Sequence, residues 1–141
     1  MNNKKSAPAI NVALVIYDHM LATSVSLPVE MLRAAEAIAL RESTSNRPLH
    51  IELVAEKKHA VSTRALIKLE PNATFDDAES PDFIFIPSLW RNPRPIIKKH
   101  PILISWLNHQ WTNGTTLIGG GTGVCFIAEA GLLENHPATT H

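Results

Sequence analysis

The sequence contains a single cysteine, Cys125, among 141 residues. That excludes an internal disulfide framework and any cysteine-rich zinc site. An excess of one charge is also missing. Lys and Arg number 13, Asp and Glu number 13, and the formal net charge is zero. A free-standing nucleic-acid binder normally carries a basic excess, so this chain is a poor candidate for one. No apolar run approaches the roughly 20 residues that span a bilayer. Lys4 and Lys5 precede an apolar segment, 8–17, too short and too strand-like for the core of a signal peptide. The cytosol is the expected compartment, with no membrane partner. Aromatic residues are sparse at 6%. The basic stretch Arg91, Arg94, Lys98, Lys99 and His100 has Trp90 only at its head. Without interleaved aromatics, and broken by proline, it reads as a solvated loop.

What is abundant is apolar residue, 45% of a chain of one domain's length. A chain of this size buries roughly two thirds of its unfolded surface. Residues 10–17 form a nearly unbroken apolar run, predicting a strand buried on both faces. A helix is expected from Ser24 or Ser26, with Ser26 as cap and Pro28 in the first turn. Leu27, Met31, Ala34, Ala35 and Ile38 would form its apolar stripe. A polar break at 41–48 leads to a second strand at 49–55. A short strand or hairpin arm is expected at 65–69 and an acidic turn at 72–80. A buried strand follows at 82–87, then a loop at 89–99. Pro101 opens a helix with Ile102, Ile104, Trp106, Leu107 and Trp111 as its stripe, ended by Asn113-Gly114. A strand at 115–118, a tight turn at 119–123 and a short helix at 124–133 complete the pattern. Strands alternating with helices predict a mostly parallel sheet with helices on both faces.

The cluster Gly119-Gly-Gly-Thr-Gly123 stands between a strand and a helix. Backbone N–H groups at such a turn can hold an anion or an oxyanion. No register supplies the dinucleotide pattern G-x-G-x-x-G, because Val124 or Phe126 stands at the third position. No lysine completes a phosphate-binding loop. A close strand-to-helix turn without ligand is the plain reading, and no cofactor is expected. Cys125 follows the turn and invites comparison with a nucleophile elbow. It lies inside the helix rather than at the apex, so a buried, inert thiol is expected. The histidines at 19, 50, 59, 100, 109, 136 and 141 show no i, i+3 or i+4 pair, so no metal is expected. Asp76, Asp77, Glu79 and Asp82 lack calcium-loop spacing.

The segment Gly121-Thr-Gly-Val-Cys-Phe-Ile-Ala-Glu-Ala-Gly-Leu-Leu133, followed by Ala138-Thr-Thr-His141, resembles a known family. It is similar to the amino-terminal PfpI/ThiJ-like (class I glutamine amidotransferase-like) domain of AraC-type transcriptional regulators. Leu27-Pro-Val-Glu-Met-Leu-Arg-Ala-Ala35 resembles the family's first helix, and Asp82-Phe-Ile-Phe-Ile-Pro87 its central strand. The likeness covers nearly the whole chain. It implies a flavodoxin-like three-layer α/β sandwich, incomplete at its carboxy end, with residues 1–141 as the sensor domain. In the enzymes of this superfamily a cysteine stands two residues before the glycine that opens the helix. With Gly123 as that glycine, the nucleophile position holds Gly121. The acidic residue four positions before the helix proline is replaced by Ser24. The glycine-rich loop after the central strand is Ser88-Leu-Trp90. Nucleophile and carboxylate are both absent.

The resemblance therefore implies a domain that binds without turnover. A small-molecule effector would sit at the carboxy ends of the strands, against Ser24, Ser88, Trp90, Gly121, Thr122 and Gly123. The domain would form a homodimer. DNA binding would belong to a helix-turn-helix part absent from this chain, whose own helices are too apolar for a recognition helix. The competing readings are a thiol enzyme using Cys125 and a ligand-free interaction domain.

Overall fold

The computed structural model describes residues 7–42, 47–78 and 80–139. Part of the expected polar break at 41–48, Glu79 of the acidic turn, and Thr140-His141 lie outside the described residues. Five strands form one parallel sheet in the order β5-β2-β1-β6-β7. They are β1 (Ile10–Val15), β2 (Leu49–Ala55), β5 (Ala73–Thr74), β6 (Phe83–Ile86) and β7 (Thr116–Gly119). A separate antiparallel hairpin pairs β3 (Val61–Ser62) with β4 (Lys68–Leu69). The helices are α1 (Thr23–Arg41), α2 (Arg94–Ile97), α3 (Pro101–Thr112) and α4 (Val124–Glu129). Among them none is long and apolar enough to cross a membrane.

The chain runs outward from β1 to β2 in one direction and from β6 to β7 in the other. Right-handed crossovers then place α1 and α3 on opposite faces. The apolar runs explain the core. Leu14, Val15, Val54, Ile84 and Ile86 are fully buried, each contributing roughly 1.5–3 kcal/mol. Side chains also set the register. Asp82 accepts the Asn11 N–H at 2.8 Å and returns its own N–H to the Asn11 carbonyl at 2.9 Å, pinning β6 to β1. Asn72 does the same with Leu53, accepting its N–H at 2.8 Å and donating to its carbonyl at 2.7 Å. Glu36 of α1 accepts the Leu49 N–H at 2.6 Å and an Arg33 bond at 3.0 Å. The Leu49 amide and the Arg33 guanidinium hold its carboxyl below the usual range.

Several expectations are corrected. The first helix begins at Thr23 with Ala22 as its cap residue, and Ser26 makes no cap bond. Pro28 consequently sits in the second turn, and its missing N–H leaves the Ser24 carbonyl without its helical partner. The helix packs through Val25, Val29 and Leu32, while Leu27 (57%), Met31 (63%) and Ile38 (49%) stay exposed. The two faces are offset by two residues, roughly half a turn of helix, and sequence periodicity alone weighs them equally. Helix α3 likewise buries Leu103, Trp106, Leu107 and Gln110, leaving Ile102 and Trp111 exposed. The last helix stops at Glu129, shorter than expected. Strand β5 lies in the segment expected as an acidic turn.

The two faces of the sheet are unequally covered. Ile84 and Ile86 point to the α3–α4 side and are buried, whereas Phe83 is 37% and Ile118 41% exposed on the other. There an apolar groove of about 510 Å³ runs between α1 and the sheet, lined by Val12, Pro28, Met31, Phe83, Phe85 and Ile118 among others.

Gly123 is the tightest point of the fold. A β-carbon there would lie 2.2 Å from the Ile86 carbonyl oxygen and 2.7 Å from that of Pro87. Gly123→Ala is expected to cost about 3 kcal/mol, because only backbone could move aside. Gly114→Ala, with φ +92° and nothing within 4 Å, is expected to cost about 1 kcal/mol. Urea unfolding of both variants checks the contrast.

Candidate functional site

The strand order reverses between β1 and β6, and open α/β sheets bind ligands beyond the carboxy ends of such strands. Here the loop after β1 and the loop after β6 zip together. Met20 and Leu89 form an antiparallel bridge, Leu21 donates to the Ser88 carbonyl at 2.9 Å, and Trp90 donates to the His19 carbonyl at 3.1 Å. His19 and Arg91 flank this bridge with left-handed φ values of +71° and +66°. Such conformations in non-glycine residues persist only where surrounding bonds hold them.

The glycine turn closes onto the same loop. Gly121–Gly123 is a single 3₁₀ turn leading into α4. Thr122 is buried, and its hydroxyl accepts the Leu89 N–H at 2.8 Å and donates to the Leu89 carbonyl at 3.2 Å. The Ser88 hydroxyl lies 3.0 Å from it and accepts the Thr122 N–H at 3.3 Å. Ser88 and Thr122 thus form a closed hydrogen-bonded clasp, spending their polar atoms on each other and on the backbone. Gly121 stands at the apex with φ +50° and is exposed. A sharp left-handed apex is the geometry of a nucleophile elbow, in which the apex residue projects its side chain outward. Here the apex has no side chain.

The six site residues expected from sequence are therefore divided. Ser88, Thr122 and Gly123 build the clasp, with Gly121 at its apex. Trp90 stands apart and lines a cavity of about 480 Å³ with Met20, Leu21, Thr23, Arg64 and Arg91. Its indole is 46% exposed, and the Arg91 guanidinium lies 6.0 Å from the ring centre. Ser24, half-buried in the first turn of α1, neighbours this cavity through Thr23 without lining it. Arg64 was missed by sequence reasoning: it comes from the β3–β4 hairpin, 26 positions before Trp90, and no local pattern joins them. Cys125 lies in α4 and is half-buried, not fully buried as expected, because α4 is a short surface helix. It lines neither this cavity nor the elbow apex. Among the described residues no group of three His, Cys, Asp or Glu could hold a metal.

No protein-family model matches the chain, and no curated protein matches it. Solved structures do. A candidate transcriptional regulator from Vibrio parahaemolyticus superposes with a TM-score of 0.80 at 21% identity, over 94% of this chain and 67% of that one. A ThiJ/PfpI family protein from Pseudomonas syringae gives 0.72 at 16% identity, over 94% and 50%. The fold is that of the ThiJ/PfpI proteins. An AraC family transcriptional regulator from Pseudomonas putida shares it, with a TM-score of 0.67 at 18% identity over 94% and 77%. The α/β sandwich with its parallel sheet is thus observed as expected. The chain spans about half the length of the ThiJ/PfpI structure.

A second titratable group sits beside β1. His100 packs against the rings of Tyr17 and Phe126, with centroids 5.7 and 6.2 Å away. Burial lowers its pKa, against the opposing pull of Glu56 and Asp18; Lys99 and His19 add to the lowering. The unfolded chain therefore takes up this proton first as pH falls below about 6.5. Stability from His100 is full above that value and is lost as pH falls toward its lower folded pKa. His100→Asn is expected to flatten the acid side of the stability profile between pH 7 and 5, measured by urea midpoints. Thr122→Val removes the clasp hydroxyl and strands the Leu89 N–H, at an expected cost of about 2–3 kcal/mol. Thr122→Ser should restore most of it in the same measurement.

Proposed function

We propose that this chain is the non-catalytic, effector-sensing and dimerising domain of an AraC-type transcriptional regulator. One observation carries the reading: the elbow keeps its left-handed apex at Gly121 but presents no nucleophile there. Beside it lies an open cavity headed by Trp90. A site that keeps its scaffold and lacks its reacting atom binds without turning over. The fold is shared with solved structures of transcriptional regulators, which agrees with this reading without deciding it.

In this reading a cytosolic small-molecule effector occupies the Trp90 cavity, and its differential affinity for two dimer arrangements shifts DNA-binding halves that lie outside these 141 residues. A second copy of the chain supplies the cover for the apolar groove beside α1, which Met31 lines, and for Leu27, exposed on the same helix. The groove's lining is wholly apolar, so a second copy seated there would take only apolar side chains out of water.

A metabolite screen by thermal shift tests the sensor. A stabilising compound whose effect disappears in Trp90→Ala supports the assignment, and one whose effect survives moves the site elsewhere. For the dimer, Leu27→Glu combined with Met31→Glu is expected to convert the species seen by sedimentation velocity to monomer. A wild-type monomer would remove that part of the reading. The thiol-enzyme alternative makes an opposite forecast for Cys125. Iodoacetamide is expected to label it slowly and much faster in denaturant, whereas a catalytic thiolate would react at once in the native state.

A further inference from the structure

A second cavity, of about 250 Å³, opens at the carboxy ends of β1 and β2, on the α3 side of the sheet. It is separate from the Trp90 cavity: the two share no lining residue. Its floor is apolar. Ile16, Ala55, Val61 and Leu103 line it together with Phe75, whose ring is stacked on Trp106 with centroids 4.6 Å apart. Its rim is charged in both signs. Asp18, Glu56, Lys57 and Lys99 all line it, with His59.

The deeper polar groups are Glu56 and His100, whose side chains are 26% and 19% exposed. Their closest approach is 3.9 Å, between Nδ1 and Oε2, too long for a hydrogen bond. Burial lowers the imidazole's pKa, against the opposing pull of Glu56 and Asp18. Glu56 is a half-buried carboxylate, and among the described residues no Lys or Arg nitrogen lies within 4.0 Å of it. Asp18 is positioned by the Ser62 N–H, which donates to one carboxylate oxygen at 3.1 Å.

We propose that this cavity binds a small zwitterion, a molecule carrying an ammonium group and a carboxylate on a short apolar stem. The ammonium meets Glu56 and Asp18, the carboxylate meets Lys99 and Lys57, and the stem lies on the Phe75 floor. A rim with two carboxylates and two ammonium groups offers counter-charge to both ends of a zwitterion, whereas a ligand of single charge leaves two like groups without a partner. The volume is below the usual 300–1,000 Å³ of drug-sized sites, which limits the stem to a few carbons. The proposal does not depend on the regulator reading, since it concerns a different cavity.

Calorimetric titration of the full chain with L-valine, isobutylamine and isovalerate tests it. The last two are valine without its carboxylate and valine without its amino group. Valine is expected to bind, and each truncated probe to bind at least about tenfold more weakly, because each leaves a charged pair unmade. Glu56→Gln is expected to weaken valine by about tenfold while leaving isovalerate unchanged, and Lys99→Gln to weaken valine while leaving isobutylamine unchanged. Thermal melts confirm that both variants fold, and the two substitutions on different elements check each other. The proposal is overturned if valine does not bind, if either truncated probe binds as tightly, or if Glu56→Gln leaves valine unchanged. Loss of valine binding in Trp90→Ala would also overturn it by placing the ligand in the other cavity. Loss of effector binding there with valine retained would touch only the regulator reading.

Discussion

The absence of a β-carbon at Gly123 is the constraint on which the functional end of this domain depends. Because the backbone can lie directly on the carbonyls of Ile86 and Pro87, α4 starts against the end of β6. Thr122 is then delivered to the loop after that strand, where its hydroxyl and that of Ser88 close their circuit with Leu89. The clasp orders the loop, the loop bridges to the segment after β1, and Trp90 is held at the mouth of a cavity. A methyl group at one position would interrupt this sequence of contacts.

The same geometry explains how a scaffold suited to nucleophilic chemistry can serve another purpose. The turn supplies a left-handed apex, which in a nucleophile elbow holds a reactive side chain clear of the sheet. Gly121 occupies that conformation at no steric cost. The apex presents no side chain, and the Ser88 and Thr122 hydroxyls beside it are committed to one another and to Leu89.

Charge is distributed to match. Arg64 and Arg91 border the Trp90 cavity, whereas both signs ring the cavity over Phe75. Both openings are lined in part by the segment after β1, and each draws its chemistry from several loops. A neutral total charge conceals this, since it sums over surfaces that face different directions.

Much of the fold was legible in the sequence. The nearly unbroken apolar runs at 10–15 and 83–86 are the pattern of strands in a parallel sheet with helices on its faces. Alternation with helical segments then fixes parallel pairing. The glycine cluster correctly announced a strand-to-helix turn. The start and buried face of α1 were not legible. Leu27, Met31 and Ile38 satisfy helical periodicity as well as Val25, Val29 and Leu32 do, and only docking on the sheet chooses between them. Strand β5 was hidden because two residues carry no periodicity, and its pairing arises from Asn72 bonding to Leu53. For the candidate site, sequence named the turn and the tryptophan that the structure brings to the same end of the sheet. It could not tell that Ser88 and Thr122 would bond each other from 34 positions apart, or that Arg64 would reach Trp90. Those pairings are products of loop convergence, and local residue order holds no trace of them. Sequence determined which elements form, through periodicity and backbone allowance. Tertiary structure alone decided which polar groups remain free to meet a ligand, because that depends on which distant partners have already claimed them.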